Sequence, residues 1–536
     1  MKLTKISPIP LLFVLPLCYP QQGYTETVFH DSNSSEITCS GGIDEGQLSQ
    51  QLLMVYARFP SMRVMSDPSQ WKVAASFVFN DENAAEIEGI LDHCPKLYLK
   101  VRDWVLKKEL LRPVRHAVVS GLSVSGMVAA ALLAKAGYEV DAFELRDTYT
   151  RNIQWAGRQA LVDQLASVDQ DLADRFQKEV AAPIEKGKIQ ISLGTRTVRS
   201  QPVPTRGNPV RISRSGEELM QSSSAMIMEA RVFEKFMMDY IKSIPHVRVH
   251  TRTRVELTGP DVEGHYSVAG YGRPHLIVIA EGANSITRKK LGIESVPASP
   301  ARLQMAGVVH VDMGGTMTKH IRVEDGLAGA EHLLTGVMAR KGSTKSWIVA
   351  DVSSSWNFKS GFKKQQEVID EEFRRLASAA LEIPIEKMKG MRISGPVDGK
   401  NPQLFILQQH ISSAASAGNN VVGIGDFVGN AHWSVGGGMQ IGAISHGYRL
   451  KQLMLDFDLG MNRAEAMQKF SQGAIEDTLA WGRRGIADFY LSLDPEVASQ
   501  TYMKAVQHWY LEGAFSPLDL LNFFFTYQRS LRKCCL

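Results

Sequence analysis

The clearest run of hydrophobic positions opens just after Pro113. Val114 to Ala117 leads into His-Ala-Val-Val-Ser, which predicts a strand. The Ala- and Leu-rich stretch from Gly126 to Ala136 predicts a helix, stopped by Gly137, and Glu139 to Leu145 predicts a second strand. Together they form one β-α-β unit of about 30 residues, the size a parallel crossover needs. Upstream, Gln47 to Tyr56 and Leu97 to Leu111 carry helical periodicity, and Pro113 ends the second. Downstream the pattern predicts a helical stretch over 158–180, then loops and short strands over 190–220, where Pro, Arg, Ser and Gly gather. A helix from Arg231 to Ile244 precedes strands over 247–257 and 265–280. Strands such as Gly307–Val311 and Ser346–Val352, with a charged helix over Gln365–Leu381, suggest a separate sheet-built region, and helices dominate after Gly436.

The turn between the first strand and its helix reads Gly121-Leu122-Ser123-Val124-Ser125-Gly126. In a Gly-x-Gly-x-x-Gly turn, the first glycine makes the tight bend and the second lets backbone approach a pyrophosphate. The third packs helix on strand, and the N–H groups at the helix start face the anion. Ser123 stands at the middle position, which narrows that approach. Glu144 ends the second strand 18 positions after Gly126, where a carboxylate can accept both hydroxyls of a ribose. Two later strands end in comparable turns. Leu276 to Ala280 runs into Glu281-Gly282 and Ser285, followed by Arg288. Val421 to Gly425 ends in Asp426, before Gly436-Gly437-Gly438 and a helix beginning near Met439. Asp426 suits a ribityl hydroxyl, and the glycines allow backbone N–H groups and a helix start near the electron-rich pyrimidine of a flavin. Either of the two later elements, taken alone, is equally an ordinary strand and turn; three in this order point to a single FAD.

With these motifs the chain resembles the class A flavoprotein monooxygenases of the para-hydroxybenzoate hydroxylase fold type, over residues 114–455. That family carries the glycine turn with its carboxylate, an Asp-Gly motif, and a Gly-Asp motif followed by glycines ten and twelve positions after the aspartate. Gly436 and Gly438 stand at those spacings from Asp426. One segment, Glu144-Leu145-Arg146-Asp147 with Arg151-Asn152 and Arg158, is similar to the flavin domain of the MICAL actin-oxidising proteins, which also carry a helical extension before the Rossmann unit. That likeness is local and transfers no substrate. The chain departs from the family at Glu281 (for aspartate), in the region that serves FAD and NADPH in the family, and at Gly429, Trp433 and Gln440 (for histidine, proline and asparagine). Trp433 either shapes the pocket or packs in the core.

The resemblance implies an α/β fold: a Rossmann-type FAD-binding domain with an inserted β-sheet substrate domain and helical N- and C-terminal extensions. The FAD-binding parts are expected at 113–190, 231–298 and 416–460, and the substrate-domain parts at 191–230 and 299–415. Residues 46–112 and 461–536 form the helical extensions, and 1–45 a flexible extension or signal segment. The implied activity is hydroxylation of a small apolar or aromatic molecule by FAD, with NADPH or NADH as transient reductant and O2 as oxygen source. The residues implied around FAD are Gly121, Leu122, Ser123, Ser125, Gly126, Glu144, Gly425, Asp426, Gly436, Gly437, Gly438 and Met439. Arg146 and Arg158 are implied on its adenosine and pyrophosphate parts, with Arg231 a further candidate. No catalytic acid or base is identified; His432 lies in the right segment, but a lone histidine is more often structural.

Composition narrows this only a little. With 536 residues, 44% hydrophobic and 22% charged, the chain is ordinary for a globular enzyme. A formal net charge of +4 gives no strongly basic surface for nucleic acid. The five cysteines lie at 18, 39, 94, 534 and 535, which rules out a disulfide framework for the main body and offers no metal-ligand spacing. That usage fits a cytoplasmic protein. Lys2 and Lys5 before the apolar run Ile9–Leu17 resemble a short signal segment, but Pro10 and Pro16 interrupt it, so export stays open as an alternative. The apolar stretch Leu518–Phe525, followed by Arg529, Arg532, Lys533, Cys534 and Cys535, either packs on the body or touches a membrane surface. Two further functional readings stand beside the monooxygenase: an FAD-dependent dehydrogenase or reductase without oxygen transfer, and a non-catalytic FAD-binding interaction module.

Overall fold

The computed structural model describes residues 45–65, 68–79, 99, 102, 115–193, 196–202, 224–297, 302–326, 329–353, 356, 365–430 and 437–491. The N-terminal signal-like run, most of the expected helix 97–111, and the C-terminal tail lie outside them.

The apolar runs around the first β-α-β unit build a six-stranded sheet. Its spatial order is Ser416–Ala417, Val421–Gly423, Leu276–Ile279, Arg115–Ser120, Tyr138–Glu144, Val247–Thr251. All neighbours are parallel except the Ser416–Ala417 edge. Parallel strands are covered on both faces, which is why they read as continuous apolar runs. Leu276–Ile279 is buried at every position. The helix after the glycine turn, Val124–Lys135, is buried from Val124 to Ala134. A helix apolar all round belongs in an interior, and this one packs against the second strand, helix Ala230–Ser243 and helix Gly447–Asp458.

A second, eight-stranded sheet carries the inserted region. Its order is Ile393–Ser394, Arg302–Val309, Ser346–Asp351, Gly329–Ala339, Thr316–Gly326, Lys186–Leu193, Arg196–Pro202, with Gln403–Leu407 also paired to Arg302–Val309. Helix Gln365–Leu381 covers it, putting Phe373, Leu376, Ala377 and Ala380 on Met305, Val337 and Ile348. A smaller three-stranded sheet, Gln154–Arg158, Ser224–Glu229 and Ala182–Pro183, links the two regions.

Two expectations need correcting. Lys186–Leu193 and Arg196–Pro202 are full strands of seven or eight residues, where loops and short strands were expected from residue 190. Lysines, arginines and a glycine disguise an alternation that becomes plain once Lys186–Leu193 is seen paired in parallel with Thr316–Gly326. The segment 247–268 does not simply re-enter the parallel sheet: Leu257–Thr258 and Ser267–Val268 pair with each other as a separate antiparallel ribbon.

Helix Glu45–Arg58 and the turn Pro60–Val64 begin the N-terminal extension. The extension docks on helices Gly447–Asp458 and Gln159–Val168 through polar contacts at several points. The Ser61 N–H donates to Asp458 at 2.8 Å, and the Arg102 guanidinium donates to the Ser167 and Ala166 carbonyls at 2.6 and 2.8 Å. Among the described residues no helix is long and apolar enough to cross a membrane.

Candidate functional site

The parallel register aligns the C-terminal ends of four strands. Ser120 sits opposite both Phe143 and Ile279, and Ile279 opposite Gly423. The residues just beyond these ends line one cavity of about 580 Å³. In an open α/β sheet this is where a ligand crevice forms, beside the central first strand from which connections leave in both directions.

Backbone geometry explains which turn glycines are obligatory. Gly121 has φ +91°, and a Cβ there would lie 2.6 Å from the Ala280 carbonyl oxygen. A Cβ on Gly126 would lie 1.9 Å from the Gly121 carbonyl oxygen. Ser123 has φ −68° and ψ 174°, a conformation open to any residue, and its side chain makes no capping hydrogen bond. The middle position therefore concerns room rather than backbone strain, and serine is admitted there. Tyr149, which sequence reasoning missed, donates its hydroxyl proton to the Leu122 carbonyl at 2.7 Å and holds the turn from outside.

Glu144 receives the Leu122 N–H at 2.9 Å, the Arg146 N–H at 3.0 Å, and the Arg146 guanidinium at 3.0 and 3.1 Å. Burial favours its neutral form, but these bonds and the Arg146 charge outweigh it and lower the carboxyl below its usual range. Glu281, standing for the family's aspartate, is drawn into the local frame: it accepts from the Ser120, Ser285 and Thr287 hydroxyls, each at 2.7 Å. Arg288 is buried and ties the turn to the third motif by donating to the Phe427 carbonyl at 3.0 Å.

The third motif is the most specific in geometry. Gly425 has φ +62° and donates its N–H to His446 Nδ1 at 2.9 Å. The other ring nitrogen of His446 meets the Ala474 carbonyl at 3.1 Å and the Thr478 hydroxyl at 3.0 Å. Nδ1 is thus the acceptor and Nε2 carries the proton; burial holds this histidine neutral, with its pKa pushed down to about 4. Asp426 is half-buried, yet its Oδ1 is sealed from solvent and has no hydrogen-bond partner among the described residues. Burial pushes its carboxyl up to about 6, against the opposing charge of Arg151. A Cβ on Gly438 would lie 1.9 Å from that Oδ1, so glycine is needed where the helix Gly437–Gln440 approaches the carboxylate. This helix starts two residues before its expected position and continues through a π-helical turn, Ile441–His446, into Gly447–Asp458. Such π-turns recur beside functional sites.

Of the residues expected around the cofactor, Gly121, Ser123, Ser125, Glu144, Arg146, Gly425, Asp426, Gly438 and Met439 line the one cavity. Leu122 and Gly126 stand behind its wall, and Gly437 opens the helix above it. Arg158 and Arg231 stand apart. Arg158 is buried, with its guanidinium 5.3 Å from the Trp481 ring centre, and Arg231 pairs with Asp398 at 2.8 Å. Gly436, His432 and Trp433 lie outside the described residues. Gln440 donates to the Ala156 carbonyl at 2.9 Å, joining the third motif to the linking sheet. The far wall, which the sequence did not single out, is apolar: Ile153, Trp155 and Ala156 from the linking sheet, Met338 and Trp347 from the eight-stranded one. Alternation marks these strands as half-buried but not which face meets a ligand.

The donor and acceptor set fits a flavin dinucleotide. An orphaned buried acceptor waits at Asp426, a helix start with its N–H groups at Ser123, and a ribose-competent carboxylate at Glu144, all opening on one groove.

Comparison with solved structures bears on the fold. The chain is similar to p-nitrophenol 4-monooxygenase PnpA from Pseudomonas putida DLL-E4, at 14% identity and TM-score 0.53, over 79% of this chain and 99% of that one. It is similar to PqsL from P. aeruginosa, solved with 2-aminobenzoylacetate, at 14% identity and TM-score 0.51, over 70% and 95%. It is also similar to HpxO from Klebsiella pneumoniae, complexed with FAD and uric acid, at 14% identity and TM-score 0.51, over 78% and 97%. The chain thus has the fold these proteins share. No family model matches, and no curated protein matches by sequence.

Proposed function

We propose that this chain is an FAD-dependent monooxygenase that takes electrons from NADPH or NADH and one oxygen atom from O2 to hydroxylate a small apolar or aromatic molecule. The observation that carries the reading is the meeting of Glu144, the glycine turn and the unpartnered Oδ1 of Asp426 on one continuous groove. The fold shared with PnpA and HpxO supports it. A cytoplasmic setting belongs to the same reading and rests on the sequence alone, as do the two alternatives for the C-terminal tail, packing on the body or peripheral membrane contact.

When bound, FAD supplies hydride acceptance and the activation of O2. The chain's own residues orient and shield it. The helix start at Ser123 and Val124 turns its N–H groups and positive dipole end toward the pyrophosphate. Asp426 Oδ1 accepts a ribityl hydroxyl. Glu144, whose four acceptor positions are filled by the Leu122 N–H and by Arg146, would hold a ribose hydroxyl only if part of the half-exposed Arg146 guanidinium gave way. Trp155, Trp347 and Met338 form an apolar wall of the cavity that Gly438 and Met439 also line, and this wall would shield a bound flavin and an apolar substrate from bulk water.

The test is aerobic and anaerobic turnover of the FAD-loaded protein with NADPH across a panel of aromatic substrates. The reading expects NADPH oxidation that a substrate accelerates and product only with O2. Product formed equally without O2 would favour the reductase alternative, and no NADPH oxidation under any condition would favour a non-catalytic module.

A further inference from the structure

Helix Ala230–Ser243 carries a carboxylate that the groove described above does not account for. The Glu234 side chain is fully buried, and neither of its carboxylate oxygens has a hydrogen-bond partner among the described residues. A buried carboxylate without partners is costly, and natural interiors rarely keep one without a task. The nearest cation is Arg151, whose Nη1 lies 3.4 Å from Glu234 Oε1. Arg151 lines the cavity, with its guanidinium 5.9 Å from the ring centre of Trp155 on the apolar wall. It makes no side-chain hydrogen bond among the described residues, so its N–H donors are not spent elsewhere. Burial raises the Glu234 carboxyl, while Arg151 and then Arg146 oppose that rise and Glu144 adds to it. Arg151 likewise opposes the rise that burial imposes on the Asp426 carboxyl. One guanidinium therefore stands between a carboxylate behind the wall and another across the groove.

We propose that Glu234 is a positioning residue that fixes the Arg151 guanidinium at the junction of the flavin groove and the apolar wall, where it meets an anionic part of the bound dinucleotide. This rests on the FAD reading above. Glu234 itself touches neither cofactor nor substrate; it acts through Arg151. Without its charge, Arg151 loses the one anchor that holds it along the face of Trp155, and a long side chain with a 39% exposed head is free to turn toward solvent.

The experiment is a double-mutant cycle on FAD affinity, read by flavin fluorescence during titration of the full-length apo-protein. The chains are wild type, R151M, E234Q and R151M/E234Q. The proposal expects E234Q to weaken FAD binding about tenfold when Arg151 is present and by less than about twofold in the R151M background. It also expects the melting temperature of E234Q to match or exceed that of wild type, since a buried charge that has an ion-pair neighbour but no hydrogen bond is replaced by a neutral isostere. Unchanged or tighter FAD binding by E234Q overturns the proposal. So does an equal loss in both backgrounds, or an additive loss with a lowered melting temperature, because these mark a purely structural role. Should E234Q not fold, E234D keeps the charge at a shorter reach and must show a loss that vanishes in the R151M background. A wild-type chain that binds no FAD fails at the first titration, and that result strikes the flavin reading itself rather than the link between Glu234 and Arg151.

Discussion

At the scale of single residues, the account turns on atoms without partners and on glycines without room. Asp426 Oδ1 is a buried acceptor with nothing to accept from. A hydroxyl donated to it by a ligand contributes about 1.5–3 kcal/mol if the carboxylate is charged. Asp426→Asn should therefore weaken FAD binding by roughly tenfold to a hundredfold with little change in fold, measured by equilibrium titration and circular dichroism. The same atom predicts a pH dependence. Its carboxyl is pushed up to about 6, and a hydroxyl donor favours the charged form, so binding releases a proton across the window below that value. FAD affinity should fall as pH drops through 6, and the Asn variant should lack that fall. Ser123 gives the opposite expectation. Its backbone needs no glycine, so Ser123→Gly should leave FAD affinity equal or tighter, whereas Gly121→Ala should cost folding because the added Cβ meets the Ala280 carbonyl at 2.6 Å.

At the scale of elements, the π-helical turn Ile441–His446 holds the third motif in place through one neutral imidazole. His446 has its pKa depressed from 6.5 to about 4, so the folded state binds fewer protons than the unfolded chain between those values. Its contribution to stability is full above pH 6.5 and is lost as pH falls toward 4. Urea unfolding should show that slope, and His446→Gln, which keeps an acceptor and a donor but does not titrate, should flatten it. Asp426, with a raised pKa, contributes the opposite slope, lost as pH rises through 6, so the comparison must be made against the variant rather than read from wild type alone. The elements around these residues differ in how openly the sequence displays them. The strand, turn and helix of the first β-α-β unit were legible because burial on both faces leaves an uninterrupted apolar run and a glycine turn at its end. The strands Lys186–Leu193 and Arg196–Pro202 were not, because the first is anchored to the sheet by chain more than a hundred residues away, the second pairs only with the first, and their lysines and arginines look like loop. His446 was invisible for a similar reason: nothing local marks a histidine whose partner is the N–H of Gly425 in a separate turn. Trp155, Trp347 and Met338 were likewise hidden, since the face they share exists only after two sheets meet.

At the scale of the whole molecule, the proposed function requires three chain segments, far apart in sequence, to close on one flavin. The parallel sheet sets their order, the glycine turn lets backbone approach, and the eight-stranded sheet supplies the wall opposite. The most direct measurement is the stoichiometry of FAD binding to the full-length chain, followed by the flavin absorbance and by fluorescence quenching. The account predicts saturation at one FAD per chain, with Glu144→Ala and Asp426→Ala each weakening the same single site from its two ends. A chain that stays colourless at saturating FAD, or that binds it undiminished when both carboxylates are gone, would contradict it.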